Sequence, residues 1–161
     1  MNRSTLPYRK NCEGYLISNN KILARDSDQG YLIFPGGGID NNETPEEALQ
    51  REALEETGAI VETNLIKLGV IRYDWSAQWA KTAKQKERYK EYRGEEMHFF
   101  VGKVKRLVAP SSREDGWLGE RLMPIERAIA LINASRPFRS DVQEYREMQL
   151  KCLTQIQKDI E

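Results

Sequence analysis

A glycine-led acidic segment at residues 37–59 constrains this chain more than any other part of its sequence. A threonine N-cap at Thr44, a proline at the first helical position and Glu47 three residues after the cap together predict a helix start. Gly58 stands where a left-handed residue would end that helix. The segment therefore predicts one helix between Pro45 and Gly58.

Three glutamates of the predicted helix, Glu52, Glu55 and Glu56, fall on one arc at about 100° per residue. Like charges spaced i,i+3 or i,i+4 each destabilise an exposed helix by about 0.2–0.5 kcal/mol, and a bound divalent cation reverses that sign. Leu49 and Leu54 lie on the other side, where we expect them to pack against a core. One face of this helix is thus predicted to carry charge and the other to bury apolar surface.

The segment resembles the Nudix box, G-x5-E-x7-R-E-U-x-E-E-x-G-U, in which U is usually a bulky aliphatic residue. All fixed positions of that pattern are present, namely Gly37, Glu43, Arg51, Glu52, Glu55, Glu56 and Gly58. The two U positions hold Ala53 and Ala59, a departure that affects packing and leaves the charged set complete. The resemblance implies an α/β fold, specifically a layered α/β/α sandwich with a mixed sheet. It also implies hydrolysis of nucleoside diphosphates linked to another group.

A magnesium site is expected at the box, with Mn²⁺ as a substitute. Mg²⁺ prefers oxygen ligands and commonly sits between a few carboxylates and substrate phosphates. The expected ligands are Glu52, Glu55, Glu56 and the backbone carbonyl of Gly36. The metal would neutralise a diphosphate and lower the pKa of an attacking water.

The glycines and the arginine of the box have expected roles around that metal. Gly37 and Gly38 would let a substrate phosphate approach the backbone closely. Arg51 is expected to orient a neighbouring glutamate such as Glu43 or Glu55, and a direct phosphate contact is the alternative.

The identity of the general base is left open between two sources. One is a box glutamate, either Glu52 or Glu55. The other is an acid on a later loop, where Glu114 and Glu120 are preferred over Asp115. The loop acids have two other readings, as a fourth metal ligand or as solvated charges.

Residues 74–96 form a basic and aromatic insertion that is longer than a simple hairpin needs. Cations suit phosphates and aromatic faces suit a nucleobase, so one reading is a substrate lid with Trp75, Trp79 and Arg93 as contacts. The other reading is an exposed helix whose aromatic residues pack down onto the domain.

Several substrates fit the resemblance. The leading expectation is a nucleoside or deoxynucleoside triphosphate, including an oxidised one, hydrolysed to release pyrophosphate. Tyr73 lies near the place where dinucleoside polyphosphate hydrolases carry a tyrosine, and the basic insertion suits an RNA 5′ end. A nucleotide-sensing module without hydrolysis is the alternative of another class, which the complete glutamate set disfavours.

The remaining pattern predicts a hairpin turn at Ser18-Asn19-Asn20 and a last helix capped by Ser140. Other predicted elements are strands at 15–17, 21–24, 31–34, 65–73 and 97–104, a short strand or turn at Leu122, and helices at 124–133 and 140–160.

Composition agrees with one domain over residues 1–161. The 25 basic and 25 acidic residues balance, so net charge gives no argument for nucleic-acid or membrane binding. No apolar run reaches membrane-spanning length and no signal-peptide pattern opens the chain, so the expected location is the cytoplasm. A nucleotide is the expected partner, and the last helix is a candidate homodimer interface.

Overall fold

A computed structural model of the chain describes residues 2–27, 31–111, 117 and 119–160. Its helices are α1 (Pro45–Thr57), α2 (Ala83–Glu91), α3 (Ile125–Ala134) and α4 (Gln143–Ile160). Its strands are β1 (Tyr8–Ser18), β2 (Lys21–Leu23), β3 (Arg25–Asp26), β4 (Leu32–Ile33), β5 (Gly36–Gly38), β6 (Ala59–Val61), β7 (Ile66–Asp74), β8 (Gly94–Leu107) and β9 (Leu122–Pro124).

A long parallel pair, β1 against β8, forms the centre of the main sheet. Its register runs from Tyr8 opposite Gly94 to Ile17 opposite Lys103. The strand order is β6-β8-β1-β2-β9, with β5 antiparallel to β1 and β7 antiparallel to β8. Strands β3 and β4 pair separately. The sheet is therefore mixed, as predicted.

The two faces of β1 pack against different helices because side chains alternate along a strand. Leu16 is buried with Leu49 of α1, whereas Tyr15 is buried with Leu153 of α4. Helix α3 contributes Ile132 to the second cluster. The sheet thus lies between α1 and the α3–α4 pair, which confirms the layered α/β/α arrangement.

Two strand expectations need correction. Strand β1 begins at Tyr8 instead of residue 15, because pairing with β8 recruits Asn11, Glu13 and Gly14, residues that rarely favour strands. Strand β6 was missed because it has only three residues after the helix-ending Gly58. The hairpin turn is confirmed, and Asn19 and Asn20 both adopt positive φ angles.

The helices also differ from expectation. Helix α4 begins at Gln143, so Ser140 lies in the preceding turn and does not cap it. Leu54, expected to pack against a core, is 43% exposed, whereas Leu49 is fully buried as expected. The insertion contains α2, which begins at a Thr82 capping box. Among the described residues, no helix has both the length and the apolar character that crossing a membrane requires.

Candidate active site

Helix α1 is fixed at both ends, which sets where its glutamates lie. At its start, the Glu47 backbone N–H donates to Thr44 Oγ1 at 3.1 Å, and the Thr44 N–H donates to Glu47 Oε1 at 2.9 Å. At its end, Gly58 has φ 74° and its N–H bonds the carbonyls of the last turn. A Cβ at Gly58 would collide with the Val108 carbonyl, so the left-handed cap requires glycine.

Strand β5 brings three glycines against α1 and β1. A Cβ on Gly36 would overlap the backbone carbonyl of Cys12. A Cβ on Gly37 would lie 2.7 Å from the carboxyl carbon of Glu52. Glycine is therefore needed twice, once for strand pairing and once to let a carboxylate lie directly over the backbone.

Arg51 donates hydrogen bonds to several residues of the box. Its Nε and Nη2 donate to the two Glu43 oxygens at 2.7 and 3.0 Å. Its Nη1 donates to Glu52 at 2.9 Å, and its Nη2 donates to the Gly38 carbonyl at 3.1 Å. The hydrogen bond from Arg51 lowers the pKa of Glu43, and the same bond raises the pKa of Arg51. Arg51 thus contacts two box glutamates and the strand beside them, and its orienting role stays a prediction.

The three metal-ligand candidates occupy different surroundings. Glu52 lies over Gly37, and Glu56 Oε1 accepts a hydrogen bond from the Gly36 N–H at 3.3 Å. The Glu55 side chain is 51% exposed and lies 3.5 Å from Arg51. Within the described parts of the chain, no three acidic, thiol or imidazole groups converge closely enough to hold an ion by themselves. Two of the glutamates therefore line the glycine strand, and the third lies toward solvent.

Cys12 lies beneath this group and stays a neutral thiol. Its Sγ donates to the Gly37 carbonyl at 3.5 Å. Burial raises the pKa of Cys12 to about 12, and the charges of Glu52 and Glu56 act in the same direction. The thiol is therefore a packed donor and not a nucleophile or a metal ligand at neutral pH.

The aromatic candidates of the insertion stack on each other. Trp75 is buried and stacks on Trp79 with ring centroids 3.8 Å apart. Arg93 donates to Asp74 at 3.0 Å and to the Ser4 carbonyl at 2.9 Å, contacts that hold the N-terminal segment to the sheet. Their roles as substrate contacts stay predictions.

The loop acids are not brought to the box by the contacts seen. Glu120 Oε1 accepts a hydrogen bond from the Leu122 N–H at 3.1 Å, at the start of β9. Glu114 and Asp115 lie outside the described residues. A catalytic role for any of these acids therefore stays a prediction.

Sequence reasoning missed the polar residues of β1 that face away from α1. Arg9 Nη2 lies 2.7 Å from the position that a Cβ on Gly38 would occupy. Asn11 and Glu13 continue the same alternating row and are both buried. The i,i+2 spacing of these residues was a visible signal, but only the pairing of β1 with β5 brings the row beside the box.

The fold and this glycine-and-glutamate site define a Nudix domain. The NUDIX domain family model matches residues 11–142, and the chain belongs to the Nudix family. An RNA pyrophosphohydrolase of Helicobacter pylori strain P12 is 32% identical over 105 residues, 61% of this chain and 64% of that relative. The chain therefore spans less than two thirds of that protein's length.

Two solved structures share the fold. A NUDIX hydrolase from Nitrosomonas europaea superposes with TM-score 0.57 at 17% identity, covering 84% of each chain. An ADP compounds hydrolase superposes with TM-score 0.54 at 21% identity, covering 94% of this chain and 73% of the other. At such identities the likeness concerns architecture alone.

Proposed function

We propose that this chain is a metal-dependent pyrophosphohydrolase that cleaves a phosphoanhydride bond of a nucleoside 5′-polyphosphate. The observation that carries this proposal is the position of Glu52 and Glu56 against the backbone of Gly36 and Gly37. That arrangement combines hard oxygen donors with a glycine backbone that a phosphate can approach.

The donor set fits Mg²⁺, and Mn²⁺ shares its preference for oxygen. Glu52, Glu55 and Glu56 supply carboxylates, and the Gly36 carbonyl is a further candidate ligand. The absence of a closed three-ligand group among the described residues agrees with how Mg²⁺ binds, because substrate phosphates and water commonly complete its shell. When bound, the ion would neutralise phosphate charge and lower the pKa of the attacking water.

The side chains around the proposed metal site have separate roles in the reaction. Arg51 keeps Glu52 over Gly37 and holds the strand through the Gly38 carbonyl. Glu55 is half exposed, so it is the box candidate for accepting the proton of the attacking water, with Glu52 as the alternative. Most of the rate would come from positioning and charge stabilisation.

A groove lined by residues of the insertion and of the 135–146 segment favours an RNA 5′ end as the substrate. It has a volume of about 580 Å³ and is lined by Tyr31, Trp79, Phe138, Arg139 and Arg146 among others. Aromatic faces and cations together suit a base and its phosphate. Arg146 also reaches the Leu32 carbonyl at 3.5 Å, on the strand that leads toward the box.

The groove is a different place from the box, since no box residue lines it. Tyr31 and Gly36 are five residues apart, so at most about 18 Å of chain separates them. An oligonucleotide can span both places, whereas a single nucleotide fills one. The similarity to an RNA pyrophosphohydrolase supports the same substrate class.

A free nucleoside or deoxynucleoside triphosphate is the second candidate, because the box alone suffices to bind its phosphates. The test compares 5′-triphosphorylated RNA oligonucleotides with nucleoside triphosphates at matched Mg²⁺, with analysis of the phosphate products. We expect faster hydrolysis of the RNA and a rate that falls steeply with salt. A preference for free nucleotides, or indifference to salt, would reverse the substrate assignment. Nucleotide binding without hydrolysis of any substrate would favour a sensing module instead.

A further inference from the structure

Side chains of opposite charge, from α1 and from β1, lie over the two faces of β5. On the α1 side, the Glu52 carboxylate lies over Gly37. On the α4 side, the Arg9 guanidinium lies over Gly38, with Nη2 2.7 Å from the position of a Cβ there. A substrate phosphate at this strand would therefore meet carboxylates on one side and an arginine on the other.

Arg9 is held in place through one end of its guanidinium. Its Nη1 donates to Asn11 Oδ1 at 2.8 Å and lies 3.7 Å from Glu95 Oε1, which is an ion pair without a hydrogen bond. The Glu95 side chain is 14% exposed and accepts a hydrogen bond from the Tyr73 hydroxyl at 2.8 Å. These contacts fix Nη1 and leave Nη2 over the glycine.

Asn11 holds Arg9 in this position. The residue is 4% exposed, and its Oδ1 accepts the hydrogen bond from Arg9 Nη1. The orientation of the amide follows from Arg9, because the flipped amide would place two donors together. That orientation places Oδ1 on the Gly38 side, 3.9 Å from the position of a Cβ there, and turns the amide nitrogen toward Glu95, whose charged form it favours.

We propose that Arg9 binds a phosphate oxygen of the substrate from the α4 side of β5. Asn11 positions Arg9 by accepting the hydrogen bond from its Nη1. Arg9 donates and is permanently charged, so it selects an anionic oxygen, and the planar fork of arginine matches phosphate geometry. The inference deepens the proposed function, because it places the polyphosphate between Arg9 and the glutamates of α1.

The competing explanation is that Arg9 only neutralises the partly buried Glu95. Arg9→Lys separates the two roles, because lysine keeps the positive charge beside Glu95 and loses the planar fork. Arg9→Met removes the charge as well. Should Arg9→Met fail to fold because Glu95 is left unpaired, the double variant Arg9→Met/Glu95→Gln removes both charges.

The test is calorimetric binding of inorganic tripolyphosphate to the full chain in excess Mg²⁺, with thermal unfolding of each variant as the stability readout. We expect Arg9→Met to weaken binding about tenfold or more, since hydrogen bonds to charged groups are strong. Arg9→Lys should weaken it about threefold or more at an unchanged unfolding midpoint. The matched control is Arg72→Met, which also removes one cation, from the pair that the exposed Arg72 of β7 forms with Glu96 of β8; it should bind within about twofold of wild type.

Equal affinities for the Arg9 and Arg72 variants would overturn the inference, as would failure of the wild type to bind tripolyphosphate. Nucleotide hydrolysis by the wild type is scored separately. Hydrolysis together with unchanged Arg9→Met affinity would refute this inference alone. Weakened Arg9→Met binding without any wild-type hydrolysis would refute the proposed function alone.

Discussion

The two faces of β1 serve the protein in different ways. The face toward α1 is apolar, and Cys12 and Leu16 pack there beneath the helix that carries the box glutamates. The face toward α4 is polar at Glu13, which is 4% exposed. The contrast shows that the helix with the box glutamates packs on β1 through apolar side chains, whereas the contact between β1 and α4 depends on a buried acid.

Glu13 is surrounded by donors from two elements. Its carboxylate accepts hydrogen bonds from the Tyr15 hydroxyl at 2.7 Å, from the Gln149 amide at 3.0 Å and from the Tyr145 hydroxyl. Glu13 also stands opposite Gly36 in the β1–β5 ladder. Strand β1 therefore joins α4 to the box, and substitutions of the α1 glutamates on one side of it and of Glu13 on the other should separate activity from stability.

The largest effect should come from the α1 side. Glu56→Gln, and separately Glu52→Gln, should lower Mg²⁺-dependent hydrolysis by about 100-fold or more, because each removes a charged metal ligand. The midpoint of urea unfolding should stay near the wild-type value. The control is Glu46→Gln, an exposed acid of the same helix. Near-wild-type rates for both variants would refute the metal site and the division between the faces.

Substitution of Glu13, on the α4 side, should lower stability and leave activity nearly unchanged. Glu13→Ala should reduce the free energy of unfolding by about 3 kcal/mol or more, because it leaves three buried donors without an acceptor. Activity per folded molecule should change less than twofold. Urea unfolding and active-fraction titration measure the two quantities. A large loss of rate at unchanged stability would show that the faces are not separable.

Stability should also depend on pH through Glu13. Burial raises the pKa of Glu13, and its hydrogen bonds only partly oppose that shift. The folded chain then keeps this proton at pH values where the unfolded chain, with a pKa of about 4.3, has lost it. The contribution is fully present below the unfolded pKa and is lost as pH rises through the folded pKa. Unfolding free energies from pH 4 to 8 should therefore fall for wild type relative to Glu13→Gln; a pH-independent difference would contradict this.

The smallest effect concerns the groove, which belongs to neither face. Trp79→Ala should weaken binding of a triphosphorylated RNA about fivefold, with kcat nearly unchanged, because it removes a stacking surface. Trp79→Phe keeps an aromatic face and should lose less. Steady-state kinetics with RNA and with a free nucleotide would show whether the loss is confined to RNA. An equal loss for both substrates, or a substrate-bound structure with Trp79 remote from every base, would remove the groove from the binding site.

The box and its helix could be predicted because their signals are local. The Thr44 cap, the Gly58 cap and the Arg51–Glu43 pair all follow from residues within one segment. The role of β5 could not be predicted in this way, because glycines disfavour strands and only pairing with β1 makes Gly36–Gly38 one.

The residues that sequence reasoning missed depend on distant partners. Glu13 in a strand is typical of an exposed position, and its burial depends on Tyr145 and Gln149, more than 130 positions away. Arg9 and Asn11 lie beside the box only because the β1–β5 register sets Asn11 opposite Gly38. Spacing within a segment predicts a motif, but it does not predict which side chains a sheet will bring to it.

The parallel pairing of β1 with β8 has a consequence for how the chain matures. The box is fully synthesised at residue 59. Strand β1, which lies beside the box, pairs with β8, and β8 runs from Gly94 to Leu107. An isolated helix of the length of α1 is marginal in water, and contacts between remote segments form slowly. We therefore expect a nascent chain stalled before Gly94 to carry every box residue and still lack a folded site. Emergence of β8 from the ribosome would be a required step in assembling the site.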